Sequence, residues 1–175
     1  MKRKILKIII LILICVPSFA QVNYSLPYHN ATVYFTSGYG YRENVMREHT
    51  GGYKIWHDGI DLVGTNYLTD IPIYPMLDGV VTDFGYDEIY GNYVVTWCVV
   101  NNDWIKLLYG HFEVIDKNIF KGKSVDINTI LGIQGSTGRS TGDHLHISVM
   151  VNGVITNPLV LFSDLEERED VYVLE

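Results

Sequence analysis

From residue 31 onward, short apolar stretches alternate with clusters of Gly, Asn, Asp and Pro. That punctuation predicts many short strands and no long amphipathic helix. Ala31 to Thr36 reads as a strand that Ser37-Gly38-Tyr39-Gly40 turns into a loop, and Tyr41 to Trp56 as a long surface loop. His57 to Val63 enters a second strand. Ile71 to Met76 reads as an extended piece whose prolines bar a central ladder position. A turn at Leu77-Asp78-Gly79 precedes the next strand. Tyr93 to Val100 and Trp104 to Tyr109, joined by Asn101-Asn102-Asp103, predict a hairpin. Short extended pieces follow near Lys121 to Asn128 and over Ile130 to Gln134. Ile147 to Val151 then alternates like a strand and runs into the turn pair Asn152-Gly153. No internal repeat or linker interrupts the series. The expected fold is all-β, a mainly antiparallel sheet with short strands, long loops and little helix, in a single domain.

The ends depart from this pattern. Lys2, Arg3, Lys4 and Lys7 precede the apolar run Ile8 to Val16, and Pro17-Ser18-Phe19-Ala20 supplies small residues before Gln21. This is the layout of a secretory signal peptide over residues 1–20, cleaved after Ala20. The run is shorter than the roughly 20 residues of a comfortable span, so no stable membrane span is expected after processing. Cys15 leaves a lipidated anchor as the alternative, although bulky Ile14 stands where a small residue would be expected. Residues 21–34 read as a lead-in arm over the domain surface, 35–162 as the functional domain, and 163–175 as an acidic tail.

Charge narrows the partners. The chain carries 13 basic and 20 acidic residues. Cleavage would remove four of the basic and none of the acidic ones, taking the net charge from −7 to −11. Such an acidic protein is not expected to bind nucleic acid or adhere to anionic lipid. Cleavage would also leave Cys98 as the one cysteine, inside a strand-like run, where it reads as a buried residue rather than a nucleophile.

Six histidines carry the candidate chemistry. His144 and His146 are two apart in a segment entering a strand, so both imidazoles project to one face. A Gly-, Ser- and Thr-rich loop from Gly135 to Gly142 delivers them. The pair suits a metal or proton-transfer site, or equally a solvent-facing edge strand. His57-Asp58-Gly59-Ile60-Asp61 sets a histidine four residues from a carboxylate. Gly59 and the β-branched residues argue against a helix, so either a turn joins the two groups at a metal or they form a local hydrogen bond. His111 stands where a strand runs out, and alone it reads as structural.

Together these elements make the sequence resemble the zinc metallopeptidases of the lysostaphin and LytM type (M23 peptidases) from about Phe35 to Pro158. The glycine turn ending in arginine is Ser37-Gly38-Tyr39-Gly40-Tyr41-Arg42, and the H-x-x-x-D element is His57 to Asp61. Leu77-Asp78-Gly79-Val80-Val81, Gly91-Asn92-Tyr93-Val94 and Tyr109-Gly110-His111 follow in the family's order. The Gly-Ser-Thr-Gly loop and H-x-H element run from Gly135 to His146, and Asn157-Pro158 closes the domain. Asp143 stands where proline is frequent, and Ile147-Ser148 replaces an aromatic and charged pair.

The resemblance implies one Zn2+ per chain held by His57, Asp61 and His146, with His111 and His144 as the catalytic pair. It gives Tyr53 as the occupant of a substrate-contacting tyrosine position. The implied activity is a secreted endopeptidase cutting the peptide stems of bacterial peptidoglycan, with zinc-activated water attacking the scissile amide. The implied location is the periplasm or the outside of the cell. The direct D-amino-acid cross-link is the expected substrate, ahead of a glycine bridge. The alternative is a catalytically inactive scaffold that activates another cell-wall hydrolase, with an unknown regulatory protein partner. A third reading is a β-sheet binding protein with surface histidines and no zinc.

Overall fold

Strands separated widely in sequence meet at the centre of the molecule, and their alternation separates a core face from a site face. The structure is a computed structural model that describes residues 24–42, 55–66, 70–161 and 171–173. Among the described residues, the main sheet has nine strands. Along it run β10 (Ser124–Val125), β6 (Gly79–Asp87), β7 (Gly91–Val100), β8 (Asp103–Phe112), β12 (Leu145–Val151), β4 (Gly59–Thr65), β1 (Thr32–Ser37) and β14 (Val171–Val173). The ninth, β13 (Val154–Thr156), pairs with β12. Every pairing is antiparallel except that of β1 with β14. A three-stranded sheet joins β5 (Pro72–Ile73), β11 (Gly132–Ile133) and β9 (Val114–Ile115), and a ribbon joins β2 (Gly40–Arg42) to β3 (Ile55–His57). The one helical element among the described residues is a 3-10 turn, Pro158–Leu161. The expected all-β, mainly antiparallel architecture is the one observed.

The turn chemistry anticipated from sequence is present. Asn101 and Asn102 take positive φ (50° and 71°) between β7 and β8, and Asn152 and Gly153 do so (49° and 86°) between β12 and β13. Two such residues make the hairpin turn whose twist matches that of the strands. Proline-bearing β5 lies at an edge.

Ile60 and Leu62 of β4, Ile105, Leu107 and Tyr109 of β8, and Leu145, Ile147 and Val149 of β12 point to one side and form the core with Met76, Leu131 and Phe112. The residues between them, including Asp61 and His146, therefore face the other side. Cys98 is buried in β7 as expected.

Three stretches differ from the sequence reading. The lead-in segment is built in: Leu26 and Tyr28 belong to the core, and the Tyr28 hydroxyl lies 2.9 Å from the Leu62 carbonyl. The loop expected over Tyr41 to Trp56 begins and ends as the β2–β3 ribbon, where Tyr41 pairs with Trp56. In the segment expected as a tail, Val171–Val173 pairs with β1. Residues 1–20, Tyr53 and most of 163–175 lie outside the described residues.

Candidate metal centre

Register assembles the centre. β12 lies between β4 and β8, with His146 directly opposite Asp61 on one side and Gly110 on the other. Residues opposed on one face of a sheet have side chains within contact distance. The end of β3 then delivers His57. His57 Nε2 and His146 Nδ1 are 3.0 Å apart, His146 Nδ1 and Asp61 Oδ1 3.0 Å, and His57 Nε2 and Asp61 Oδ1 3.1 Å. All three residues are buried.

This near-equilateral triangle fits a metal ion. His57 Nδ1 donates to the Gly38 carbonyl at 2.7 Å, so in the neutral ring Nε2 carries a lone pair. His146 Nδ1 and the Asp61 carboxylate bring further lone pairs to the same point. Buried acceptors converging on one point need a cation or a proton between them. Ligands about 2.0–2.1 Å from a tetrahedral zinc would stand about 3.3 Å apart, close to the observed edges. Two imidazoles and one carboxylate are a donor set of catalytic zinc sites.

Charges around the triangle match. Burial opposes ionisation of Asp61, but hydrogen bonds to His146 and His57 outweigh it and hold the carboxyl well below the usual range. Burial likewise opposes charge on His146, but bonds to Asp58 and Asp61 raise its pKa. Arg42 Nη1 lies 3.0 Å from Asp61 Oδ2 and also donates to Ser37 Oγ. The guanidinium thus occupies the carboxylate oxygen that faces away from the triangle.

His111 and His144 stand beside it, their rings 4.6 Å apart. Each donates Nδ1–H to a carbonyl at 2.7 Å, His111 to Thr137 and His144 to Gly142, which leaves Nε2 as the available atom of both rings. His144 Nε2 is 3.6 Å from Asp61 Oδ1. Burial and then the neighbouring His144 lower the His111 pKa to about 4, so its ring is neutral at pH 7.

His111 reaches this face through a β-bulge. The β7–β8 register shifts between Asn92 and Val94, and His111 has φ +66°. Strict alternation from Ile105, Leu107 and Tyr109 would turn His111 into the core and Phe112 out. The extra residue reverses that: Phe112 is fully buried and His111 lines the cleft.

The Gly-rich loop docks on the β6–β7 turn. Thr137 Oγ1 accepts from Asn92 N and donates to the Phe112 carbonyl, and Arg139 N donates to the Ile89 carbonyl. Gly91 permits this approach, since a Cβ there would meet the Thr137 carbonyl at 2.3 Å. The resulting cleft, about 470 Å³, is lined by all five histidine and aspartate positions singled out in the sequence, together with Trp56, Tyr90 and Arg139.

Sequence reasoning gave no individual role to Asp58 or Tyr90, although the loop Tyr86–Tyr90 is among those expected to set specificity. Asp58 was visible as a carboxylate beside a candidate ligand, whereas nothing local singled out Tyr90 within its loop. Tyr90 OH donates to Asp58 Oδ2 at 2.5 Å, and Asp58 Oδ1 is 3.4 Å from His146 Nε2.

Residues 55–158, more than half of the chain, match peptidase family M23, and the chain belongs to that family. It is 33% identical over 129 residues to the DD-carboxypeptidase/endopeptidase Mpg of Neisseria meningitidis, covering 71% of this chain and 26% of that protein. To the glycyl-glycine endopeptidase ALE-1 of Staphylococcus capitis it is 28% identical over 141 residues, covering 79% of this chain and 34% of that one. Among solved structures, the catalytic domain of a point mutant of the prophage-encoded M23 protein EnpA from Enterococcus faecalis superposes with a TM-score of 0.57. That match is at 30% identity and covers 76% of this chain and 94% of that one. The chain spans only about a quarter to a third of the curated relatives' length.

Proposed function

We propose that the protein is a zinc-dependent endopeptidase that hydrolyses peptide cross-links of bacterial peptidoglycan. The observation that carries this reading is the convergence of His57 Nε2, Asp61 Oδ1 and His146 Nδ1 beside two further imidazoles with free Nε2 atoms. His57, Asp61 and His146 would hold one Zn2+. Bound there, zinc supplies Lewis acidity that polarises a carbonyl and makes water a nucleophile near neutral pH.

The chain's own groups account for the rest. Neutral His111 has an Nε2 lone pair that can take a proton from the attacking water. The proton that His111 takes can pass to the leaving amine, and His144, held through Nδ1 by the Gly142 carbonyl, can in its protonated form donate from Nε2 to the oxygen that gains charge. Arg42 holds Asp61 Oδ2 and so leaves Oδ1 to the triangle. Trp56 and the β2–β3 ribbon wall one side of the cleft, and Tyr53 would contact substrate from the segment that follows Arg42. Intact ligand-type and proton-handling residues at all five positions favour an enzyme over an inactive activator.

The direct D-amino-acid cross-link is the proposed target, in keeping with the name of the Neisseria relative. The basic, apolar start of the chain supports export through cleavage after Ala20, to the periplasm or beyond. Among the described residues, no helix is long and apolar enough to cross a membrane. Incubating the purified, zinc-loaded protein with walls of both cross-link types, and identifying released muropeptides by mass spectrometry, tests the proposal. Cleavage of the direct link is expected. Cleavage of glycine bridges alone would reassign the substrate. No release from either wall, with stimulation of a separate hydrolase, would favour the activator.

A further inference from the structure

We propose that Asp58 and Tyr90 act as positioning residues for His146, fixing its ring from the side opposite the metal cluster. The inference rests on the reading of His57, Asp61 and His146 as metal ligands.

Asp58 lies between two of those residues in sequence, and its carboxylate meets the third, His146, at the ring nitrogen that the triangle does not use. Oδ1 stands 3.4 Å from His146 Nε2, and Oδ2 accepts from the Tyr90 hydroxyl. Among the described residues, buried His146 Nε2 has no partner in full hydrogen-bond geometry, so the Asp58 oxygen is the charge-complementary group it faces. An imidazole that ligates through Nδ1 carries its proton on Nε2. A carboxylate facing that proton fixes the tautomer, limits ring rotation and makes the ligand more basic.

Tyr90 is itself well held. Its amide donates to Asp87 Oδ1 at 3.1 Å, its carbonyl accepts from His111 N at 2.7 Å, and its ring centroid lies 5.5 Å from that of His146. One residue of the β6–β7 turn therefore braces His111 through its backbone and His146 through Asp58. Asp58 is anchored from the other side, since its carbonyl accepts from Ser148 Oγ at 2.9 Å.

The test compares the full chain with Asp58→Ala, Asp58→Asn, Tyr90→Phe and the Asp58→Ala/Tyr90→Phe double variant. Zinc affinity is measured by competition with a chromophoric chelator, and ligand geometry by the visible spectrum of the cobalt(II) form. Asp58→Ala should weaken zinc binding about 10–100-fold and alter the cobalt spectrum, both under conditions where the chelated variant is fully folded. Asp58→Asn, which keeps an acceptor oxygen, should recover part of the loss. Tyr90→Phe should weaken binding less, and should add nothing in the Asp58→Ala background because it acts through Asp58. Parental zinc affinity and an unchanged spectrum in Asp58→Ala and Asp58→Asn would overturn the proposal. So would an undiminished effect of Tyr90→Phe without Asp58. A parent that binds no zinc would instead remove the metal reading on which the inference stands.

Discussion

Gly59 lies directly beneath the imidazole of His146. A Cβ at residue 59 would come 2.7 Å from His146 Cε1 and 2.2 Å from the Ile147 carbonyl. Neither neighbour can give way cheaply, because the carbonyl is sheet backbone and the ring belongs to the metal cluster. Gly59→Ala is therefore expected to cost about 3 kcal/mol or more, at or beyond the upper end for overpacking, and to weaken zinc binding. Denaturant unfolding and a chelator competition measure the two losses. Parental values for both would show that the β4–β12 contact is looser than described.

The two histidines of the H-x-H element should separate by experiment. His146→Ala removes a proposed ligand and should lose zinc and activity together. His144→Ala should retain zinc within a few-fold and lose about 10²–10⁴ in kcat, the usual contribution of a proton-transferring side chain. Metal content after desalting and turnover of a cross-linked muropeptide supply the readouts. Zinc retention by both variants would refute the division of roles.

Stability of the chelated protein should peak near pH 6.5. His111 titrates lower in the folded chain, at about 4 against 6.5, so its contribution is present above 6.5 and lost as pH falls through 4. His146 is shifted the other way, so its contribution is present below 6.5 and lost as pH rises through its folded pKa. At still lower pH, Asp58 adds to the loss: its carboxyl is held at about 2 because hydrogen bonds to His146 and Tyr90 outweigh burial. Zinc should abolish the decline above 6.5, since ligation deprotonates His146 Nδ1. Thermal melts across pH with chelator and with excess zinc test each limb. An unchanged alkaline limb in zinc would remove His146 from the ligand set.

Tyr109 gives a control in the core. Its buried hydroxyl accepts from the Met76 amide at 2.9 Å. Tyr109→Phe strands that amide and should cost about 1–3 kcal/mol. Zinc affinity should not change, because Tyr109 lies on the opposite face of the sheet from the cluster. A drop in affinity would mean that the two faces are coupled.

Much of the fold was legible because its signals are local. Asn101-Asn102 and Asn152-Gly153 mark hairpins through their own backbone preferences, and His144 and His146 share a face because strand periodicity is two. His57 and Asp61 were legible as a pair, whereas their meeting with His146 was implied by family resemblance rather than by spacing. That meeting depends on which strand lies beside which, and residue types say little about that. His111 shows the limit most clearly. Its position depends on one inserted residue that reverses the alternation of β8, and an αL histidine is a poor match to any sequence rule. Tyr90 and Asp58 were passed over for a related reason, since 32 residues separate two groups in hydrogen-bond contact. Leu26 and Tyr28 were misplaced because a short aperiodic segment looks the same whether it lies in a groove or on a surface.

The central place of β12 between β4 and β8 sets an order of events. Its histidine is 85 residues from Asp61 and 89 from His57, so the unfolded chain offers a metal local donor pairs but never the complete set. Closing contacts so distant in sequence costs loop entropy before the contacts repay it. If these groups hold zinc as proposed, the complete ligand set therefore exists only once β12 has docked between its neighbours.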